Sequence, residues 1–79
     1  MIKVLFFGPV AERVGCNALQ VEHRPGLRLQ DLRDDLASQY PQAFAIVCFM
    51  AVNGAHARDL AQELADHSDV AFMAKFSGG

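Results

Sequence analysis

Val70-Ala71-Phe72-Met73-Ala74-Lys75-Phe76-Ser77-Gly78-Gly79 opens as an apolar run with strand character and closes on a bare diglycine. Two final glycines carry no Cβ, so the backbone there can enter a narrow channel, take φ angles closed to other residues and present a free carboxylate at its tip. A reactive terminus needs that slim lead. A frayed end, or the scar of an expression vector, gives the same two residues. The meaning of the diglycine therefore depends on the order of the elements before it.

The other end of the chain supplies a matching strand. Ile2 to Phe7 is rich in β-branched and aromatic residues and stops at Gly8-Pro9, a turn signal. Alternation puts Ile2, Val4 and Phe6 on one face and Lys3, Leu5 and Phe7 on the other. With Lys3 toward solvent, Leu5 and Phe7 point outward as well. Apolar groups there call for a partner, or for a loop or the C-terminal segment as a cover. Gly8 to Asn17 reads as a loop, with Gly15 and Asn17 available for positive φ. Ala18 to His23 follows as a short strand with Leu19 and Val21 inward, which makes a hairpin with the first.

Arg24-Pro25-Gly26 breaks that strand. Leu29, Leu32, Leu36 and Tyr40 then recur at the spacing of one helix face, with Asp31, Arg33, Asp34, Asp35 and Gln39 opposite. The helix spans roughly Leu29 to Tyr40 and stops before Pro41, which pushes Tyr40 out of the α region. No good N-cap precedes Leu29. Asp34 and Asp35 are adjacent on the helix and point in different directions, so they form a solvated face rather than an acid–base pair. Ala43 to Val52 is almost wholly apolar and suits a strand buried on both sides, with continuation of the helix as the competing reading. Asn53-Gly54 is a strong hairpin signal. Ala55 to Arg58 is its short return strand at a sheet edge. Asp59 to His67 is a loop or a short helical turn, with Leu60 and Leu64 at i, i+4. Ser68-Asp69 turns into the last strand, Val70 to Phe76.

Strand, strand, helix, strand, short strand, loop, strand, tail: in this length, that order is the β-grasp arrangement of ubiquitin-like proteins. The expected fold is α+β, a mixed sheet of four to five strands with one main helix packed across it. The first and last strands should lie side by side in the sheet centre. Residues 1–79 form one domain, with 76–79 as a flexible tail.

Composition excludes several functions. The chain has 79 residues, 52% of them hydrophobic, and a formal net charge of -2. That is enough apolar material for a core in one small domain. Lys3, Arg13, Arg24, Arg28, Arg33, Arg58 and Lys75 are scattered, so no basic stripe suits nucleic acid. No apolar run reaches membrane-spanning length and no signal peptide is visible, which points to a soluble cytoplasmic protein. Cys16, in a turn, is expected as a free thiol, and Cys48 as a small buried hydrophobe. His23, His56 and His67 are isolated and read as surface residues. There is no Ser-His-Asp order, metal-ligand spacing or phosphate-cradling glycine loop.

Met1-Ile2-Lys3-Val4-Leu5-Phe6-Phe7-Gly8-Pro9-Val10-Ala11-Glu12-Arg13-Val14-Gly15 resembles the opening of the small, sulfur-carrier subunits of molybdopterin synthase. Ala51-Val52-Asn53 resembles that family's mid-chain strand and turn, Asp69-Val70-Ala71-Phe72 its last strand, and Gly78-Gly79 its terminal diglycine. The resemblance implies that a ubiquitin-activating-like adenylyltransferase uses ATP to adenylate the Gly79 carboxylate, and that a sulfur donor then converts it to a thiocarboxylate. It implies that the tail enters the large catalytic subunit and gives its sulfur to cyclic pyranopterin monophosphate. By the same resemblance Gly79 carries the sulfur, Gly78 lets the tail thread, and Phe7, His56, Met73, Lys75, Phe76 and Ser77 face the partner. No cofactor or metal is expected to stay bound to the carrier. Ala74 and Lys75 stand where the family often has two prolines, which leaves the exit from the last strand less stiff. Three other readings remain at this point. They are a carrier for thiamine thiazole synthesis or another thiocarboxylate pathway, a ubiquitin-like modifier joined to lysines through Gly79, and a β-grasp binding module with an inert tail.

Overall fold

The computed structural model describes residues 1–75. Strand β1 (Ile2–Phe6) forms on the expected alternation: Ile2, Val4 and Phe6 are buried, Lys3 is exposed and Leu5 is half-buried. It pairs on one side with antiparallel β2 (Ala18–Val21), Ile2 opposite Val21 and Leu5 opposite Ala18. On the other side it pairs in parallel with β5 (Asp69–Ala74), Lys3 opposite Asp69 and Phe6 opposite Phe72. Antiparallel β3 (Val47–Val52) flanks β5, and β4 (Ala55–Ala57) closes the edge. The sheet runs β2-β1-β5-β3-β4, so the first and last strands meet in its middle as the element order predicts. This is the β-grasp fold.

The core lies on one side of that sheet. Ile2, Val4, Phe6, Val70 and Phe72 meet Leu29, Leu32 and Leu36 from the main helix, numbered α2 (Leu29–Gln39). Phe44 packs edge-on to Phe72 at 4.9 Å, and Phe6 stacks on Phe72 at 6.2 Å. The α2 helix stops at the position the proline dictates. Its poor N-cap also has a structural answer. The amides of Leu29 and Gln30 donate to the carbonyls of Gln62 (3.0 Å) and Leu60 (2.9 Å), and the Asp31 carboxylate accepts from the Arg28 amide (3.0 Å). The loop after β4 thus supplies the acceptors that a capping side chain would otherwise give. Leu64, buried on that loop, anchors it, while its amide donates to Leu27 (2.8 Å).

Six expectations are corrected. Gly8 to Asn17 is not a loop along its length, because Gly8–Val14 forms a helix, α1. Pro9 sits in its first turn, where no amide donor is needed, and Gly15 closes it at φ 96° with its amide on the Ala11 carbonyl (2.9 Å). Val10 of that helix is fully buried. The run Ala43 to Val52 is not one strand: Pro41–Phe44 makes a short helix, α3, and the strand begins only at Val47. Nor is the strand buried on both sides. Phe49 is exposed and Ala51 half-buried because no helix covers the sheet's second face, and Cys48 is exposed at the register shift between Val47 and Phe49. Cys48 is therefore an exposed free thiol and not a buried hydrophobe; Cys16 is exposed and free as expected. The last strand ends at Ala74, two residues short of the expected Phe76, which lies outside the described residues. His23 is not a surface residue: it is partly buried, with Nε2 2.9 Å from the Leu64 carbonyl oxygen.

The Asn53-Gly54 hairpin forms as read. Both residues take positive φ (51° and 82°), as a type I′ turn requires. Asn53 also ties the turn to β5: its amide donates to the Asp69 carbonyl (2.8 Å) and its Oδ1 accepts from the Asp69 amide (2.9 Å).

Candidate functional site: the root of the tail and the uncovered sheet face

Alternation along β5 divides its side chains between two faces. Val70, Phe72 and Ala74 are buried against the helices, and Ala71 and Met73 are turned to the uncovered side, half-buried. Cross-strand register extends that side. Met73 is opposite Phe49, Ala71 is opposite Ala51 and Leu5, and Ala51 is opposite His56. Residues directly opposite each other share a face, so Leu5, Phe49, Ala51, His56, Ala71 and Met73 form one surface. At its β3–β4 end Phe49, Ala51, Gly54, His56 and Met73 line a shallow depression. The Phe49 ring meets the His56 ring edge-on at 5.7 Å and is 40% exposed. Phe7 continues the extended backbone of β1 (φ -125°, ψ 148°), its amide donating to the Phe72 carbonyl (3.3 Å), and is 46% exposed. A domain of this size rarely leaves so much contiguous apolar surface open without use for it.

The structure brings His56 and Met73 together on this surface and leaves Phe7 exposed at the end of β1. Lys75 belongs to a separate groove, shared with Pro9, Arg13, Ile46, Cys48 and Ala74, where β5 gives way to the tail. Phe76, Ser77, Gly78 and Gly79 lie outside the described residues. Sequence reasoning missed Phe49 and Ala51. The signal was there: in the run Ala43 to Val52 every second residue is apolar on a face that the single long helix cannot reach.

Among the described residues, no three His, Cys, Asp or Glu side chains gather as a metal site would require. The displaced carboxyl is Asp66, held below its ordinary value chiefly by a hydrogen bond from the Met1 ammonium group (2.6 Å). Asp66 precedes β5 at the end of the strand away from the tail, and both partners are exposed.

Residues 4–79 match the model of the ThiS family. No curated protein sequence matches the chain. Among solved structures, SAMP1 from Haloferax volcanii superposes with a TM-score of 0.82 at 21% identity, over 99% of this chain and 98% of that one. The small archaeal modifier protein 1 from Methanosarcina acetivorans gives 0.81 at 23% identity, over 99% and 95%. A chain from the complex of subunits 1 and 2 of molybdopterin-converting factor from Helicobacter pylori gives 0.74 at 24% identity, over 99% and 97%. At these identities the likeness is one of fold.

Proposed function

This chain belongs to the ThiS family, and on that premise we propose that it is a sulfur carrier for molybdopterin synthesis, with Gly79 as the carrying residue. The observation that supports this most is the position of the tail. In sequence it starts at Lys75, directly after the central strand β5, and ends in Gly78-Gly79, and the described part of the domain carries an apolar, open face on that strand. A carrier needs a slim reactive end and a surface by which successive partners recognise it. The opening sequence Met1 to Gly15 favours the molybdopterin pathway over the others.

The chemistry asks little of the carrier itself. A carboxylate is a poor acyl donor because its leaving group would be oxide. Attack of a Gly79 carboxylate oxygen on the α-phosphorus of ATP in the partner enzyme gives an acyl adenylate and pyrophosphate. A sulfur nucleophile then displaces AMP, leaving the acyl carbon bonded to sulfur. The large subunit would receive that end and move the sulfur to cyclic pyranopterin monophosphate. The domain contributes positioning: a rigid sheet at the base, a short tether and a docking face. Binding energy from the face holds the reactive end near its target, which is where an intramolecular arrangement gains its rate.

The test is the intact mass of untagged protein after incubation with the adenylating enzyme, ATP and a sulfur donor. The expected result is a gain equal to one oxygen replaced by sulfur, mapped to Gly79, followed by sulfur transfer to the pterin when the large subunit is added. No gain, with an enzyme competent on another carrier, overturns the reading. Sulfur loading that serves only thiazole formation, or an isopeptide ladder on lysines, moves the chain to one of the other ThiS-like or modifier roles.

A second experiment tests the open face. Phe7→Asp should raise the Kd for the large subunit roughly tenfold or more, since a charge is placed where apolar surface is to be buried. The melting temperature should change little, because Phe7 is 46% exposed in the free chain. A large loss of thermal stability with unchanged affinity would show that Phe7 serves the core instead.

A further inference from the structure

The groove at the root of the tail has a composition of its own. Its walls come from three places: Pro9 and Arg13 on α1, Ile46 just before β3 with Cys48 in it, and Ala74 at the end of β5 with Lys75 just after it. The floor is apolar, and the two charged residues that line it are both cations. The Arg13 guanidinium is held toward α3, donating from Nη1 to the Gln42 carbonyl (3.0 Å). Among the described residues neither Arg13 nor Lys75 is in an ion pair, whereas Arg24 and Arg33 both are. The acid next to Arg13 in sequence, Glu12, lines a different depression with Gly8, Ala11, Gly15, Cys16 and Asn17. In a chain of net charge -2, this is a local positive rim around an apolar slot.

The tether decides what meets it. Four residues separate Lys75 from the far end of Gly79. Fully extended, they span at most about 14 Å. Any protein that works on the Gly79 carboxyl must bring its active site within that radius of the groove, so its surface is pressed against the end of β5.

We propose that this groove is a docking site for an acidic–aliphatic segment of the protein that receives the tail. An aliphatic side chain would enter between Pro9, Ile46, Cys48 and Ala74, and a neighbouring Asp or Glu carboxylate would pair with Arg13 and Lys75. The site is distinct from the uncovered sheet face and lies on the other side of the tail root, so that partner and carrier grip on both flanks of the reactive end. The proposal rests on the carrier reading for the identity of the partner.

Cys48 and Cys16 make the test direct, since both are exposed free thiols and only Cys48 lines this groove. The wild-type chain is treated with N-ethylmaleimide alone, then saturated with the large subunit of molybdopterin synthase, then with the adenylating enzyme, and labelling is read by peptide mass. With the large subunit, labelling of Cys48 should slow roughly tenfold while that of Cys16 holds, as expected for a thiol that loses access. In parallel, the Arg13→Glu, Lys75→Glu double variant should bind the large subunit roughly tenfold more weakly and with a flatter dependence on salt, because rim charges act mainly through steering and screening. Equal labelling of Cys48 free and bound to the large subunit, even with protection by the adenylating enzyme, or an unchanged Kd and salt slope for the large subunit, overturns the proposal. Slow labelling of Cys48 in the free chain while Cys16 reacts puts another occupant in the groove, and overturns it too. A wild-type chain that takes no sulfur in the mass experiment refutes the carrier reading. A chain that takes sulfur while Cys48 stays open to reagent refutes the groove alone.

Discussion

Adding residues after Gly79 should reduce sulfur loading to background while leaving the melting temperature where it was. In the extended chain the Gly79 carbonyl is part of an amide, with no carboxylate oxygen to attack the α-phosphorus of ATP. The new terminal carboxylate is displaced by about 3.4 Å for every added residue, beyond the reach of a site matched to the shorter tether. Its side chains also carry Cβ atoms where a narrow channel admits glycine. The fold should not notice. Among the described residues the last buried position is Ala74, 6% exposed, and Lys75 already faces solvent. The measurement pairs intact mass after adenylation with a thermal melt of the same sample, the mass also verifying that the extension is still attached. Sulfur loading of the extended chain at the untagged rate would sink the assignment of Gly79. A lowered melting temperature would mean that the tail end contributes to the core, contrary to where β5 stops.

The β-grasp order could be read because its main signals are local. Ile2 to Phe6 alternates, Leu29 to Leu36 repeats at helical spacing, Pro41 stops α2, and Asn53-Gly54 turns a hairpin; each feature acts over a few residues. The missed helix α1 is local too, but only seven residues long. Its apolar pair Val10 and Val14 shows a single helical interval, and Gly8-Pro9 reads as a breaker although Pro9 is well placed in a first turn. What failed elsewhere was long-range. The amides that α2 leaves uncapped find acceptors thirty or more residues away on the loop after β4, which no inspection of Arg28 reveals. Cys48 and Phe49 sit in a run apolar enough for a core, yet Phe49 is exposed because the helices cover only one face of the sheet, and Cys48 because it falls at a register shift in β3. For the same reason the candidate surface was half legible. Met73 and His56 entered by resemblance, and Phe49 emerged only once the register placed it beside them.

That register sets up a comparison between two phenylalanines in neighbouring strands. Phe72→Ala should cost roughly 3–5 kcal/mol, since it removes a fully buried ring and leaves a cavity that the surrounding structure closes only in part. The ring contacts both Phe6 and Phe44, so one truncation loosens the β1–β5 pairing and the packing of α3 at once. A domain of this size holds a total stability at the low end of about 5–15 kcal/mol. The variant should therefore melt at least about 12 °C lower, or fail to fold at working temperature. Phe49→Ala is the control, in a strand hydrogen-bonded to the same β5, and should cost less than about 1 kcal/mol because Phe49 is 40% exposed. Calorimetric melts of the two variants at matched pH measure the contrast. Equal destabilisation would mean that both faces of the sheet are covered in solution, which would remove the open face on which docking depends. A large effect at Phe72 with a small one at Phe49 leaves Phe49 free for a partner. Phe49→Ala should then weaken that partner's binding without first weakening the fold.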